Sequence, residues 1–207
     1  MIELERVSGL WTVTIRREDK ANALTHAMLT ELADIAAEAG KAEARALILT
    51  GAGRVFSAGA DLDQARAGLA TDPVWERLSG TIAALPCLTI AALNGALAGG
   101  AFGMALACDI RIAVPTAKFF YPVMKLGFLP QPSDPPRLTA LVGPARAKMI
   151  LLCGQKIEAE EALNWGLVDR IVPKESLLDM AQAIAADTLA AKADHLAAIK
   201  SMCGPGS

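Results

Sequence analysis

The sequence predicts an α/β fold, and three observations carry that prediction. Short apolar or β-branched runs alternate with segments whose apolar residues recur at helical spacing. Glycine-rich turns follow several of those runs, as at Gly51-Ala52-Gly53 and Ala58-Gly59-Ala60. The stretch from Leu78 to Cys108 has no Asp, Glu, Lys or Arg, yet Pro86, the turn signal Asn94-Gly95 and the helix-weakening pair Gly99-Gly100 interrupt it. Those breaks argue against a membrane span. The stretch reads instead as a buried strand, Leu88 to Leu93, a turn, and a glycine-opened helix ending near Cys108-Asp109.

The elements follow in order. Residues 2–16 alternate around Leu10, Trp11, Val13 and Ile15 and predict two short strands joined at Ser8-Gly9. Leu24, Met28, Leu32, Ile35 and Ala36 give helical spacing from Asn22 to the stop at Gly40. Ala46 to Thr50 is a compact apolar strand, and Val55 to Leu62 leaves a short strand and enters a tight turn. Residues 73–85 read as a helix with Pro73 near its start, and Ile110 to Val114 as a strand. Five prolines between Pro122 and Pro136, after the aromatic run Phe119-Phe120-Tyr121, predict an irregular loop over Val123 to Pro136. Helices are expected from Gly143 to Cys153 and from Glu158 to Trp165, with a linker near Ile157 and a short strand from Val168 to Val172. Residues 175–200 read as one long alanine-rich helix, and the tail from Cys203 to Ser207 as a frayed end. The expected organisation is a core over residues 1–173 and a helical segment over 174–207.

Composition narrows the function. A chain of 207 residues that is 53% hydrophobic can bury one substantial core. A net charge of −2 provides no basic field for nucleic acid. Cys87, Cys108, Cys153 and Cys203 form no CxxC pair and no ligand spacing with His26 or His195, so neither a zinc site nor a disulfide framework is expected. The acidic start Met1-Ile2-Glu3-Leu4-Glu5 does not read as a signal peptide, which makes the cytoplasm the expected compartment.

The chemistry concentrates in two turns. Ala58-Gly59-Ala60-Asp61 follows a strand, and Ala98-Gly99-Gly100 follows another and opens a helix. Small residues there let the backbone approach a ligand closely. Amides at a helix start point outward without acceptors and carry partial positive charge. Two such amides from separate loops can hold one developing oxyanion. The plainer alternative is that these glycines only permit tight packing.

The ordered set of motifs resembles the crotonase superfamily, the enoyl-CoA hydratase/isomerase family. The match runs through Asn22-Ala23-Leu24, Phe56 to Leu62, Asn94-Gly95 to Gly99-Gly100, and Ala105 to Ala113. It continues in order at Leu126-Gly127, Arg137-Leu138, Leu141-Val142-Gly143 and Glu161 to Val168, ending near Pro173. The resemblance implies a crotonase-like spiral of ββα units, assembled as a homotrimer or a dimer of trimers. It implies an acyl-CoA thioester as substrate, with no cofactor besides that CoA; the charge and the broken apolar run already speak against nucleic acid and membrane as partners. The thioester carbonyl would sit between the backbone amides of Ala60 and Gly100, which would stabilise an enolate. Lys20, Ala21, Leu24, Ala58, Asp61 and Leu62 match CoA-contacting positions, and Leu97 and Gly99 belong to the same binding set. Each has a plainer role open to it: a solvated charge for Lys20, a core residue for Leu24, a helix cap for Asp61.

The chain also departs from the family pattern. Hydratases of the family place two acidic side chains beside the α,β-double bond, and those positions here are Gly103 and Val123. Neither side chain can move a proton, so crotonyl-CoA hydration is expected to be weak or absent. Asp134 is the best substitute acid/base, against a simple turn role before Pro135; Tyr121 could donate a hydrogen bond, against a core role. His26 and His195 are weaker candidates, more simply surface groups. The aryl-CoA dehalogenase branch shares a glycine at 103, but its nucleophilic aspartate falls on Gln131, and an amide cannot replace that nucleophile. Relatives usually continue through further helices where this chain stops soon after His195-Leu196, so a more open CoA pocket, or one completed by a partner chain, is expected. Two functions stay open: an enzyme working through an acyl-CoA enolate, and a non-catalytic CoA-thioester-binding scaffold or assembly partner.

Overall fold

The computed structural model describes residues 1–203. Part of the tail expected to fray, residues 204–207, lies outside them. β1 (Ile2–Val7) and β2 (Leu10–Ile15) form an antiparallel hairpin, turned at Ser8 and Gly9, both with positive φ. α1 (His26–Lys41) returns the chain to β3 (Ala46–Gly51), which runs parallel to β2 with Trp11 opposite Leu47. β4 (Val55–Ser57), α2 (Leu62–Arg66) and α3 (Val74–Ala83) follow. Next come β5 (Leu88–Leu93), β6 (Ala96–Ala98) and α4 (Phe102–Leu106), then β7 (Ile110–Ala113), β8 (Lys118–Phe120) and α5 (Val123–Leu126). α6 (Asp134–Val142), α7 (Pro144–Leu151), β9 (Ile157–Glu158), α8 (Ala159–Trp165), β10 (Arg170–Ile171), α9 (Leu177–Ala190) and α10 (Ala193–Met202) complete the chain.

The strands form a six-stranded sheet in the order β1-β2-β3-β5-β7-β10 and a four-stranded sheet in the order β4-β6-β8-β9. Three successive pairs, β3-β4, β5-β6 and β7-β8, each place one strand in the large sheet, the next in the small sheet, and then enter a helix. This is the spiral of ββα units that the resemblance implied. Strands buried on both faces have no polar alternation, which is why β3 and β5 read as continuous apolar runs. Alanines 91 and 92 keep β5 thin, while Phe56, Phe102 and Phe119 fill the interior with no exposed surface. Burying a phenylalanine contributes roughly 1.5–3 kcal/mol.

Several elements differ from the sequence expectation. The first helix starts at His26 instead of Asn22, with Thr25 Oγ1 accepting the Met28 amide at 3.3 Å as N-cap. Asn22 (φ 55°) is instead consumed by the neighbouring turn: its Nδ2 donates to the Ala52 and Val55 carbonyls at 3.0 and 2.7 Å. Asn94 makes the matching bonds from the other side, accepting the Gly51 amide at 3.0 Å and donating to Val55 at 3.2 Å. The expected loop over Val123–Pro136 contains α5 and the first turn of α6. Pro135 and Pro136 fit there because the first amides of a helix have no intrahelical acceptor to lose. The expected linker near Ile157 is a buried strand residue paired with Phe119. The long C-terminal helix is two helices, broken where Ala191 and Lys192 are extended and the Ala191 carbonyl accepts the Arg45 guanidinium. β6, β8 and β9 were not expected, being two or three residues long and too short to show a period.

α9 packs on β3, β5 and β7 of the large sheet. Lys200 ties α10 back by donating to the Cys87 carbonyl at 2.8 Å and the Asp109 carboxylate at 2.7 Å. The buried guanidinium of Arg111 is satisfied by the Leu167 and Cys108 carbonyls and by Asp169.

Candidate active site

β4 and β6 are parallel neighbours, so the turns leaving their C-terminal ends emerge side by side. Gly59 (φ 90°) and Gly99 (φ 54°) occupy left-handed backbone that glycine adopts without cost. A Cβ on Gly59 would lie 2.8 Å from the Ala98 carbonyl oxygen, so the two turns touch backbone to backbone. The register of the first turn is fixed by the strap 21–24. The Ala58 amide donates to the Ala21 carbonyl at 3.0 Å, and Leu24 bridges Gly59 and Asp61 with two 2.8 Å bonds. Ser57 Oγ, bonded to the Asn22 carbonyl at 2.8 Å, accepts the Gly59 amide. Among the described hydrogen bonds, the Ala60 amide donates to none. Gly100 lies in the first turn of the short 3-10 segment Gly99–Ala101, where amides have no intrahelical acceptor.

These turns border a cleft lined by Ala58, Ala60, Leu62, Trp75, Tyr121, Val123, Phe128 and Gln131, among others. Trp75 packs its ring on Gly100: a Cβ at 100 would lie 3.1 Å from the ring. The indole is locked by its Nε1–H, which donates to the Leu69 carbonyl at 2.8 Å. Val123 contributes an apolar wall.

Beyond the cleft wall lies a carboxylate. Asp134, the first residue of α6, is 1% exposed. Its Oδ2 accepts the Tyr121 hydroxyl at 2.8 Å, and its Oδ1 has no partner. A Cβ built on Gly103 would sit 2.9 Å from that Oδ1, so the carboxylate fills the side-chain space that Gly103 leaves. Burial pushes the Asp134 carboxyl up to about 7, with the nearby Glu76 charge adding to the rise and the Tyr121 hydrogen bond and Arg137 opposing it. Burial and the Asp134 charge push the Tyr121 hydroxyl above its ordinary range, which keeps it neutral. Tyr121 stacks on Phe102 with centroids 5.4 Å apart, and its oxygen accepts the Gln131 amide at 3.3 Å.

The remaining candidates occupy different settings. Ala58 and Leu62 are exposed on the cleft, and Gly99 and Gly100 are partly exposed there. Lys20 is exposed in the short 3-10 turn Glu18–Lys20, and Ala21 ends that turn at φ 50°. Leu24 and Leu97 are buried beneath the turns as packing. Asp61 caps α2 by accepting the Asp63 and Gln64 amides, and Arg17 pairs with it at 2.8 Å, holding its carboxyl below the usual range. His26 lies exposed beside Asp72, and His195 is exposed on α10; neither lines the cleft. Sequence reasoning missed Trp75, Glu76 and Arg17. Their roles arise from contacts across the fold that no local spacing announces.

A family model described as enoyl-CoA hydratase/isomerase matches residues 5–204. A probable enoyl-CoA hydratase, echA8, of Mycobacterium bovis is 36% identical over 188 residues, covering 89% of this chain and 73% of the relative. The 1,2-epoxyphenylacetyl-CoA isomerase of Escherichia coli is 34% identical over 187 residues, covering 86% of this chain and 71% of the relative. The crystal structure of enoyl-CoA hydratase from Bacillus anthracis superposes with a TM-score of 0.89 at 33% identity, covering 99% of this chain and 83% of that one. The Pseudomonas aeruginosa DspI structure gives 0.90 at 31% identity, covering 98% and 85%. Fold, motif order and family model agree, and the chain belongs to the enoyl-CoA hydratase/isomerase family of the crotonase superfamily.

Proposed function

We propose that the protein is a cytoplasmic enzyme that binds an acyl-CoA thioester and stabilises its enolate between the Ala60 and Gly100 amides, without the usual hydratase pair of acids. The observation that carries this reading is the contact of the two glycine turns beside an apolar cleft, with the Ala60 amide unengaged. Donors fixed in advance cost no reorganisation when charge develops on the thioester oxygen, and one such donor is worth about 2.7–4 kcal/mol of barrier. Lys20, Ala21, Ala58, Asp61, Leu62 and Gly99 would carry the CoA along the rim, while Leu24 and Leu97 hold the turns from beneath. The reaction needs no cofactor beyond the CoA of the substrate, and Asp134 is its acid–base group.

Gly103 and Val123 disfavour water addition, which requires one group to activate water and another to move a proton at carbon. Proton transfer through an enolate requires fewer groups, and a relative named as an isomerase supports that direction. A purely binding, scaffold role would leave a buried carboxyl of raised pKa without a task, and such groups cost stability. Exposed Met124, Leu126 and Leu129, the last 82% exposed, support assembly through this face into the expected homotrimer or dimer of trimers.

The test is to measure crotonyl-CoA turnover alongside butanoyl-CoA binding by calorimetry. Micromolar binding with negligible hydration is expected. Hydration at an ordinary enzymatic rate of about 1–10³ per second would overturn the reading of Gly103 and Val123.

A further inference from the structure

We infer that Tyr121 and Asp134 form a proton relay at the inner end of the cleft, in which Tyr121 meets the substrate and Asp134 acts through it from the space left by Gly103. The inference deepens the enolate chemistry proposed above and rests on it.

Four observations lead here. Asp134 does not line the cleft, whereas Tyr121 lines it together with Ala60 and Gly100. The Tyr121 hydroxyl already donates to Asp134 Oδ2 at 2.8 Å and accepts the Gln131 amide, which leaves one lone pair of the oxygen for a further proton. The ring is held by its stack on Phe102, so the hydroxyl is positioned in advance. Asp134 Oδ1 is buried, unpartnered and 2.9 Å from where a side chain at 103 would begin. A buried acceptor without a partner is rare enough to need a reason. Here the surroundings are built to tolerate it. Glu76 of α3 accepts the Ser133 amide and hydroxyl at 3.1 and 2.9 Å, and Arg137 of α6 donates to the same Ser133 oxygen at 2.9 Å. With Tyr121 these are the charged and titratable groups that face the carboxyl, and burial above all raises it to about 7.

The step balances with no further reactant. The Cα–H bond of the acyl group breaks, and its electron pair enters the bond to the thioester carbon. The carbonyl oxygen takes up the negative charge between the two amides. The proton bonds to Tyr121 Oη while the Tyr121 proton moves to Asp134 Oδ2. Tyr121 stays neutral and Asp134 becomes a neutral acid. Return of the proton to Cα regenerates the thioester; return to a conjugated carbon shifts a double bond. One relay serves both directions, whereas hydration would need a second group.

The experiment follows deuterium uptake from D₂O into the α-position of butanoyl-CoA by mass spectrometry, with binding measured separately. The wild-type protein is expected to exchange, with a rate that rises with pH along a single limb centred near 7. Tyr121→Phe and Asp134→Asn are expected to lower exchange by about 10²-fold or more, with butanoyl-CoA affinity within about threefold and unchanged far-UV circular dichroism. Asp134→Asn also loses the pH limb, which a merely structural role would not remove. Gly103→Ala, which removes no ionisable group, is expected to slow exchange by displacing Oδ1. Wild-type exchange in Tyr121→Phe, or a retained limb in Asp134→Asn, overturns the relay. Binding without exchange in the wild-type protein overturns it too, while sparing the thioester site. Failure to bind butanoyl-CoA overturns the enolate reading itself.

Discussion

The two ends of the cleft are built by different means. At the mouth, the Ala60 and Gly100 turns are made of backbone: parallel strands deliver them side by side, and two glycines with positive φ let them touch. At the inner end, the proposed relay is made of side chains from separate elements: Tyr121 after β8, Asp134 and Arg137 on α6, Glu76 on α3. A backbone site is specified by the few residues that bend the chain, so it tolerates little local change. A side-chain site is specified by what the fold brings together, so its parts can come from different places in the chain.

That contrast can be broken most directly at Gly59. Gly59→Ala forces a Cβ to within 2.8 Å of the Ala98 oxygen in left-handed backbone. It is expected to cost about 10²–10³-fold in α-exchange by displacing one donor, with the fold retained by circular dichroism. Unchanged exchange would mean that the mouth does not depend on the contact between the turns.

Phe102→Ala tests whether the inner end depends on packing. The ring is fully buried and holds Tyr121, so its loss is expected to cost about 3–5 kcal/mol in denaturant unfolding and to slow exchange without altering butanoyl-CoA affinity.

The smallest effect is the sharpest in sign. Asp134 has its carboxyl raised from 3.8 to about 7 in the folded chain. A raised carboxyl means that ionisation favours the unfolded chain. Stability is therefore lost as pH climbs from 3.8 towards about 7, and the loss is complete above that range. Asp134→Asn is expected to be more stable than the wild type by about 1–3 kcal/mol at pH 8, with the difference shrinking at pH 5, as read from urea unfolding. An equal difference at both pH values would detach the burial of Asp134 from its ionisation.

The same contrast explains what could be read from the amino acids. Gly59 and Gly99 announce the mouth because each bends the chain where it stands, whereas the bonds that Asn22 and Asn94 make to residues 51–55 come from the fold. The alternation of large-sheet strands with helices was legible, since β3 and β5 are long enough to show a continuous apolar run. Of the small sheet only β4 was, because the two- and three-residue strands β6, β8 and β9 have no period and take their identity from their neighbours. Asp134 and Tyr121 were each visible as candidates, but their bond spans thirteen positions and depends on how α6 packs, with Pro132 before it and Pro135 and Pro136 in its first turn. Trp75 over Gly100 gave no signal at all, since a tryptophan in an amphipathic helix reads simply as core.

The empty side-chain position at Gly103 has a consequence for how activity is inferred across such families. A carboxylate stands 2.9 Å from the point where a side chain on α4 would begin, yet it is carried by α6. Neighbours in space, the two positions lie thirty-one residues apart along the chain. Read along the chain, a glycine at 103 and an aspartate at 134 look unrelated, although in the fold they meet at one place. Chemistry in this protein is better tracked by location than by residue number, and an absent residue is informative only after the space around it has been searched.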